Sequence, residues 1–288
     1  MRTLLKALTR VPLPILYTWS SVVYFVAFRL LRWRRIRAEL DLARALPERS
    51  AAERSAILRR SYRNLADTLF EAFWGYGASA EDLRRRVTIE NPQPVIDCIE
   101  AKQSVILLAA HYGNWEWLSL ATGARFGGTI DVVYQPQRVA AIDSFLREAR
   151  ARFGSRLVPR KEFIFDLMSR AGTPRIYALI ADQTPKGRDP RHWTRFLGQD
   201  TAFFLGAGKI ARFLDATVFY VSMRRVRRGY YSVRLSSLAE PPYDEAADRL
   251  VVERFAQRLE QDIRDSPADW LWLQNKWKYA KPATSRPA

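Results

Sequence analysis

From about residue 86 onward, short apolar runs typical of β-strands alternate with longer stretches whose apolar residues recur at helical spacing. The runs SVILLAA (104–110) and IYALIA (176–181) are apolar throughout, as expected of central strands that helices cover on both faces. Strands separated by helices of this length form βαβ units, so the sequence predicts an α/β fold with a mostly parallel central sheet flanked by helices. The predicted strands are Arg86–Glu90, Ser104–Ala110, Thr129–Gln135, Pro174–Ala181, Ala216–Met223 and Tyr230–Ser237.

Helices are predicted near residues 94–102, 115–126, 139–153, 161–171, 201–214 and 244–265. Thr201 is a candidate N-cap for the helix that begins there. Ahead of the first strand, Ser50 and Glu53 form a capping box, which predicts a further helix over residues 50–76.

The N-terminal region contains a charge-free apolar segment, residues 11–28, which lies between Arg10 and Arg29. As a helix this segment would be about 27 Å long, close to the hydrocarbon thickness of a bilayer. A cleaved signal peptide is the main alternative, but a basic run follows the segment where a small-residue cleavage site would stand. A buried core helix is the other alternative. We predict a membrane anchor that either spans the bilayer or lies in its interface, and the heavier basic flank after it predicts a cytoplasmic main domain.

Charged residues are unbalanced, with 47 Lys and Arg against 30 Asp and Glu and a net charge of +17. Such an excess indicates an acidic partner: nucleic acid, an anionic membrane, an acidic protein or a phosphorylated substrate. Cys98 has no second cysteine with which to form an intrachain disulfide. His111 and His192 are the two histidines of the sequence, so a zinc site with several His and Cys ligands is nearly excluded.

The strongest candidate for chemistry follows the predicted strand that ends at Ala110. His111 comes next, Gly113 permits a sharp turn, and Asn114 is a good N-cap for a helix whose first turn carries Glu116. Such a chain reversal would bring Glu116 close to the His111 ring. It would also place both residues at the carboxyl edge of a parallel sheet, where ligands usually bind.

These residue types predict general-base chemistry. A neutral imidazole can take a proton from an alcohol near pH 7, while a carboxylate on its other nitrogen fixes the tautomer. The alcohol would then attack a thioester carbonyl directly, without a Ser or Cys nucleophile and without a metal or organic cofactor. The alternative is structural: a histidine hydrogen-bonded at a strand end, and a glutamate that stabilises a helix N-terminus.

A second polar region, residues 182–196, follows the other apolar strand. A loop there would overhang the same sheet edge and could hold phosphates through charge-assisted contacts, although a solvated basic loop is an equal alternative. His192 lies in this region with no carboxylate pattern nearby, and we predict that it is a surface residue. The basic residues of the region are Lys186, Arg188, Arg191 and Arg195.

The segment HYGNWE resembles the His-x-x-x-x-Asp/Glu motif of the bacterial lipid A biosynthesis acyltransferases. The resemblance covers most of the chain and follows an ordered set of blocks. After the apolar N-terminal segment these blocks are VVYQP, VPRKEF, ADQTPKG, FLGQDTAFFLGAGKIAR and WLWLQNKWKY.

The resemblance implies transfer of a fatty acyl chain from acyl carrier protein to a hydroxyl of a lipid A (lipopolysaccharide) precursor, an anionic glycolipid, at the cell inner membrane. In that interpretation His111 is the general base and Glu116 orients it. Members of the family often have Tyr-Arg-Pro where this chain has Tyr-Gln-Pro, and Gln135 stands at the arginine, which affects the expected acceptor contact. The candidate substrate-site residues are Arg160, Asp182, Gln183 and Lys186.

The predicted organisation is a membrane anchor with a basic flank (residues 1–37), an acyltransferase domain (38–280) and a flexible tail (281–288). Two other functions stay open. One is the same chemistry on another lipid acceptor, such as a glycerophospholipid, an ornithine lipid or a mannolipid. The other is a non-catalytic basic protein that binds nucleic acid or an anionic membrane. No recognisable nucleic-acid-binding motif is present, so we predict no nucleic-acid partner.

Overall fold

The computed structural model describes residues 2–170, 172–187 and 189–282. Each predicted strand is present, and the α/β fold class with a mostly parallel sheet flanked by helices is confirmed. The strands are β1 (Val87–Ile89), β2 (Val105–Ala109), β3 (Ile130–Tyr134), β4 (Arg156–Pro159), β5 (Ile176–Ile180), β6 (Arg191–Phe196), β7 (Gln199–Phe204), β8 (Thr217–Arg227) and β9 (Tyr230–Ala239).

Helices cover the sheet and form the N-terminal region. The predicted capping box is present at the start of α4, where the Glu53 amide donates to the Ser50 hydroxyl and the Ser50 amide donates to the Glu53 carboxylate. The helices are α1 (Arg2–Leu8), α2 (Leu13–Phe25), α3 (Arg35–Ala45), α4 (Ala51–Gly77), α5 (Ala80–Arg86), α6 (Gln93–Glu100), α7 (Trp115–Phe126), α8 (Ala140–Ala151), α9 (Phe163–Ser169), α10 (Gly206–Leu214) and α11 (Ala247–Asp265).

The main sheet has seven strands in the order β1-β9-β8-β2-β5-β3-β4. β8 and β9 form an antiparallel pair, and the other neighbours are parallel. Alternate side chains of the central strand β2 enter two separate apolar clusters, one on each face of the sheet. Both faces are therefore covered, which explains why β2 is apolar throughout.

The strand register brings four loops to one edge of the sheet. Ala109 of β2 lies opposite Ile180 of β5, and Tyr134 of β3 lies opposite Pro159 of β4. The residues that follow these strands therefore meet at the carboxyl edge, as we expected for the loop after β2.

The predicted helix over residues 201–214 is only partly correct. Residues 199–204 form β7, which pairs with β6 in a separate two-stranded hairpin, and α10 begins at Gly206. Leu197 and Gly198 at the hairpin turn have φ of 49° and 72°, the pair of positive values that a type I′ turn requires. Thr201 is therefore a buried strand residue, and its hydroxyl accepts a hydrogen bond from the Trp277 indole at 2.8 Å.

The apolar N-terminal segment is a helix that packs on the body of the protein. α2 continues into one π-helical turn, Val26–Leu30, and in the part of the chain that the structure describes Leu13–Leu30 is the one helix long and apolar enough to cross a membrane. One face of this helix packs on α4. The division at residue 37 stays a prediction, and of the predicted tail, residues 283–288 lie outside the described residues.

A buried carboxylate, Glu71 of α4, joins the N-terminal helix to the sheet and to the start of α7. It accepts hydrogen bonds from the Tyr17 hydroxyl at 2.8 Å, the Asn114 amide at 2.8 Å and the Tyr231 hydroxyl at 2.6 Å. Arg225 lies 4.0 Å away and supplies positive charge. A buried charge with this many donors stabilises the fold only while its partners remain.

We therefore expect Glu71→Ala to lower the free energy of unfolding by about 3 kcal/mol, because it leaves the Tyr17, Asn114 and Tyr231 donors without their acceptor. Chemical denaturation followed by circular dichroism measures this change. Glu81→Ala, which removes an exposed carboxylate paired with Arg85, is the matched control and should be nearly neutral. Equal effects of the two substitutions would contradict the structural role given to Glu71.

Candidate active site

His111 and Asp182 face each other at the carboxyl edge of the sheet because β2 and β5 are parallel neighbours in register. Each residue lies two positions beyond a paired residue, Ala109 and Ile180 respectively. The Nδ1 atom of His111 lies 2.7 Å from Oδ1 of Asp182. The sequence predicted Glu116 as the carboxylate on this ring, and the structure places Asp182 there instead.

Asp182 is fully buried and surrounded by donors. Its Oδ2 atom accepts hydrogen bonds from the Trp270 indole at 3.0 Å and from the Gln274 amide at 2.9 Å. Burial alone would raise the pKa of this carboxyl, but His111, Gln274 and Lys276 together hold the pKa well below its usual value. Asp182 is thus an ionised, fully buried acceptor behind the histidine, and its assignment to the substrate site stays a prediction.

The ionised state of Asp182 fixes the tautomer of His111. A carboxylate can only accept, so Nδ1 carries the proton and Nε2 of the neutral ring is a free acceptor. The Gln183 amide nitrogen lies 3.5 Å from Nε2, at the limit of a hydrogen bond. Burial lowers the pKa of His111, but the Asp182 carboxylate and, more weakly, Glu116 outweigh burial and raise the pKa above its ordinary value.

Glu116 forms a separate ion pair beside the histidine. Arg150 of α8 donates to both of its carboxylate oxygens, at 2.6 and 3.0 Å, and the Tyr76 hydroxyl donates at 2.7 Å. Burial would raise the pKa of Glu116, but Arg150 and Tyr76 lower it below its ordinary value. The sequence analysis missed Arg150, since nothing in its helix distinguishes it from other surface arginines.

A cleft of about 520 Å³ opens beside these residues. His111 and Glu116 border it at one side, and Arg150 lies next to Glu116 in its wall. Most of its remaining wall is apolar and comes from β3, β5, α9 and α10. Representative apolar residues are Val132, Phe163, Ile164, Leu179, Ala207 and Ile210.

The predicted substrate-site residues Arg160, Gln183 and Lys186 all border the cleft, as does Gln135. Gln135 and Arg160 follow the paired strands β3 and β4, which explains their proximity. Arg160 is about half exposed and forms an ion pair with Asp189 at 2.7 Å. The polar part of the cleft therefore carries cationic groups at its margin.

The predicted basic loop is shorter than residues 182–196, because β6 begins at Arg191. Arg191 and Arg195 are strand residues, and Arg188 lies outside the described residues. His192 was predicted to be a surface residue without a carboxylate. It is partly buried in β6 and lies 2.8 Å from the Glu253 carboxylate of α11, a contact between residues 61 positions apart.

Lys276 is a buried amine that the sequence analysis did not identify. Its Nζ donates to the carbonyl of Ala202 at 3.1 Å and lies 3.6 Å from the ring centre of Phe203. Burial lowers its pKa to about 7, and Asp182 opposes that decrease. When it is protonated, the Lys276 amine adds positive potential near Asp182.

The turn between β2 and α7 has the features predicted for it. Gly113 adopts φ of 63°, and the Asn114 side chain caps α7 by accepting from the Trp117 amide at 2.9 Å. The Asn114 amide nitrogen in turn donates to Glu71. The orientation of the residues on either side of the turn is thereby tied to the protein core.

The fold and site define a class of protein: an α/β chain with a histidine–carboxylate pair at the carboxyl edge of its sheet, beside an apolar-walled cleft with a cationic margin. The model of the family described as bacterial lipid A biosynthesis acyltransferase matches residues 2–279, and the chain belongs to that family. Its similar relatives include the lipid A biosynthesis myristoyltransferase of Escherichia coli (strain K12), 24% identical over 266 residues, which are 91% of this chain and 80% of the relative. Lipid A biosynthesis acyltransferase 1 of Shigella flexneri is similar to the same extent, at 24% identity over 266 residues with 91% and 80% coverage.

We expect Gly113→Ala to destabilise the protein by roughly 2 kcal/mol, because an L-residue is strained at positive φ. A Cβ atom at this position would also lie 2.8 Å from the Met223 carbonyl oxygen. Gly198→Ala at the hairpin turn is the control, since Gly198 has φ of 72° with no atom within 4 Å of the added Cβ. Thermal unfolding should show a clearly larger loss for Gly113→Ala, and a loss equal to that of the control would exclude the close contact.

Proposed function

We propose that this acyltransferase moves a fatty acyl chain from acyl carrier protein to a hydroxyl of a lipid A precursor, with His111 as the general base. The observation that carries the proposal is the His111–Asp182 contact, which makes Nε2 of the neutral ring the atom available to accept a proton at the edge of the cleft. Membership of the family supports the lipid A acceptor class. The heavier basic flank after the apolar segment supports a position on the cytoplasmic side of the inner membrane.

The reaction needs one proton acceptor that later becomes a donor. Nε2 of His111 takes the proton of the acceptor hydroxyl as its oxygen bonds to the thioester carbonyl carbon. The carbon–sulfur bond then breaks, and the leaving thiolate takes the same proton from Nε2. α7 begins beside the cleft, and its N-terminus favours the negative charge that develops on the carbonyl oxygen.

Asp182 acts in this proposal as a positioning residue. It keeps the Nδ1 proton in place and stabilises the imidazolium that forms during the reaction. Trp270 and Gln274 hold its other oxygen, so the carboxylate cannot rotate without losing both hydrogen bonds. Lys276 helps to keep Asp182 ionised.

Glu116 is assigned a different role from the one that the resemblance implied. Its carboxylate neutralises Arg150 and fixes it in the cleft wall, while its charge contributes weakly to the raised pKa of His111. Removing Glu116 would leave the partly buried Arg150 guanidinium without its partner, which is costly and would distort the cleft.

The acyl chain of the donor and the phosphates of the acceptor are assigned to different parts of the cleft. The apolar residues of α9, α10 and β5 suit an acyl chain, which gains free energy by leaving water. Arg160 and Lys186 at the margin suit the phosphates of a lipid A precursor through charge-assisted hydrogen bonds. Gln135 provides an amide where an arginine is common, so we propose that it modifies the contact with the acceptor.

The direct test is transfer of labelled acyl chains from acyl carrier protein to a tetra-acylated lipid A precursor. His111→Ala should lower the rate by roughly 10³-fold or more, because it removes the base. Glu116→Ala should also lower it, through loss of the Arg150 contact. Wild-type transfer to a glycerophospholipid or ornithine lipid in place of the lipid A precursor would support the alternative acceptor class. Full activity of His111→Ala would exclude the mechanism.

The pH profile distinguishes the two carboxylates. The base must be neutral, so kcat/KM rises as the pH increases through the pKa of His111, which Asp182 raises. In Asp182→Asn, the amide oxygen would keep the Trp270 and Gln274 donors and its NH₂ would face Nδ1, which moves the ring proton to Nε2. We expect a loss of roughly 10²- to 10⁴-fold in rate, with the acidic limb displaced to lower pH.

Glu116→Gln should leave the acidic limb of the pH profile close to its wild-type position, because Glu116 contributes weakly to the pKa of His111. Asp97→Asn, an exposed change on α6, is the control for the loss of one carboxylate. If the acidic limb of the pH profile shifted strongly in Glu116→Gln and not in Asp182→Asn, Glu116 rather than Asp182 would be the residue that orients His111.

A further inference from the structure

α2 and the π-helical turn that follows it, Leu13–Leu30, are called the N-terminal helix below. This helix has two faces of opposite character, and the outer one exposes large apolar side chains. The residues of this outer face lie opposite Leu13, Leu16 and Ser20, which are buried. Soluble proteins rarely expose so many large apolar residues in one region. The outer apolar surface, as we name it, includes Ile15, Trp19, Val22, Phe25, Leu31 and Ile36, each between 40% and 75% exposed.

We propose that this outer apolar surface binds an anionic phospholipid bilayer with the helix lying flat in the interface, so that the N-terminal segment docks the protein on one leaflet and does not cross the membrane. The inference refines the membrane attachment within the proposed function. It does not rest on the catalytic role of His111.

The inner face of the helix is occupied along its length by α4. The Ser20 hydroxyl donates to Asp67 at 2.6 Å, and the Tyr17 hydroxyl donates to Glu71 at 2.8 Å. Asp67 also holds Arg225 at 3.2 Å and pairs with Arg228. A spanning helix would place these charges at membrane depth, where ionised side chains are expensive.

Both ends of the helix are fixed to the same body. Ahead of it, Thr9 packs on the last turn of α4 so closely that a Cβ added at Gly77 would lie 2.4 Å from the Thr9 carbonyl oxygen. Beyond it, the Tyr62 hydroxyl of α4 donates to the Trp33 carbonyl, and Arg34 donates to the Leu273 carbonyl at 2.7 Å.

A helix that crossed the bilayer would separate its ends by the membrane thickness, whereas here α4 accompanies the helix from one end to the other. α4 would then have to cross with it. The charged residues in the stretch of α4 beside the helix, which are Arg63, Asp67 and Glu71, oppose such a crossing.

The charges that border the outer apolar surface favour anionic lipid. Arg29, Arg32 and Arg37 are exposed at the end of the helix and in α3, and Lys6 and Arg10 are exposed ahead of it. Basic residues next to an apolar helix face attract anionic head groups, while the apolar side chains enter the boundary of the acyl chains.

Sedimentation with vesicles of phosphatidylglycerol and phosphatidylcholine tests the surface. Val22→Glu and Leu31→Glu should each weaken vesicle binding about tenfold or more, because each places a carboxylate against acyl chains and anionic head groups. Val22→Leu should bind as the wild type does. Leu250→Glu, a change at an exposed leucine of α11, is the matched control and should also bind normally.

Thermal unfolding of each variant separates lost binding from lost folding, since both substituted side chains are exposed. Undiminished vesicle binding by Val22→Glu and Leu31→Glu, with normal unfolding, would overturn the proposal. His111→Ala should bind vesicles like the wild type, so a failure of the catalytic proposal is distinguishable from a failure of this one.

Labelling with a membrane-impermeant maleimide tests the flat orientation. Cysteine replaces Lys6 in one full-length variant and Arg44 in another, both in a Cys98→Ser background. We expect the reagent to label both cysteines in the same preparation, either inverted membrane vesicles or spheroplasts, and to label neither in the other. Reaction of the two positions from opposite sides would show a spanning helix and overturn the proposal.

Discussion

The site depends on one hydrogen bond between the first polar residues after two parallel strands. β2 and β5 are paired in register, so His111 and Asp182 meet without any loop having to fold back to join them. A buried carboxylate is costly unless donors surround it, and Trp270, Gln274 and His111 supply them. The C-terminal segment that carries Trp270 and Gln274 is therefore as much a part of the site as the strands.

The sequence predicted the helices and strands well but made no prediction of the order of the strands in the sheet. The runs 104–110 and 176–181 are almost entirely apolar, and their short length between helical stretches favours buried strands over helices. Periodicity contains no information about strand order, however. With β2 beside β5, Asp182 rather than Glu116 becomes the partner of the ring, although both residues were already candidates.

Other differences have similar causes. The segment 201–204 was predicted to begin a helix because small and apolar residues continue from it into α10. The hairpin turn that makes it a strand uses Leu197, a residue type seldom found at positive φ. Arg150 and Lys276 have no local signal at all. Each is defined by a partner far away in the chain, Glu116 in one case and the Ala202 carbonyl in the other.

Glu71 shows why the N-terminal helix is part of the catalytic domain's architecture. The same carboxylate receives Tyr17 from that helix and Asn114 from the cap of α7, which stands next to His111. An anchor attached only by a flexible linker would have no such contact, and its apolar surface would be free to turn inward or to cross the membrane. Because the inner face is fixed by buried hydrogen bonds to α4, the outer face must point away from the protein, and a bilayer surface is the environment in which its exposed apolar side chains and bordering arginines are both favourable.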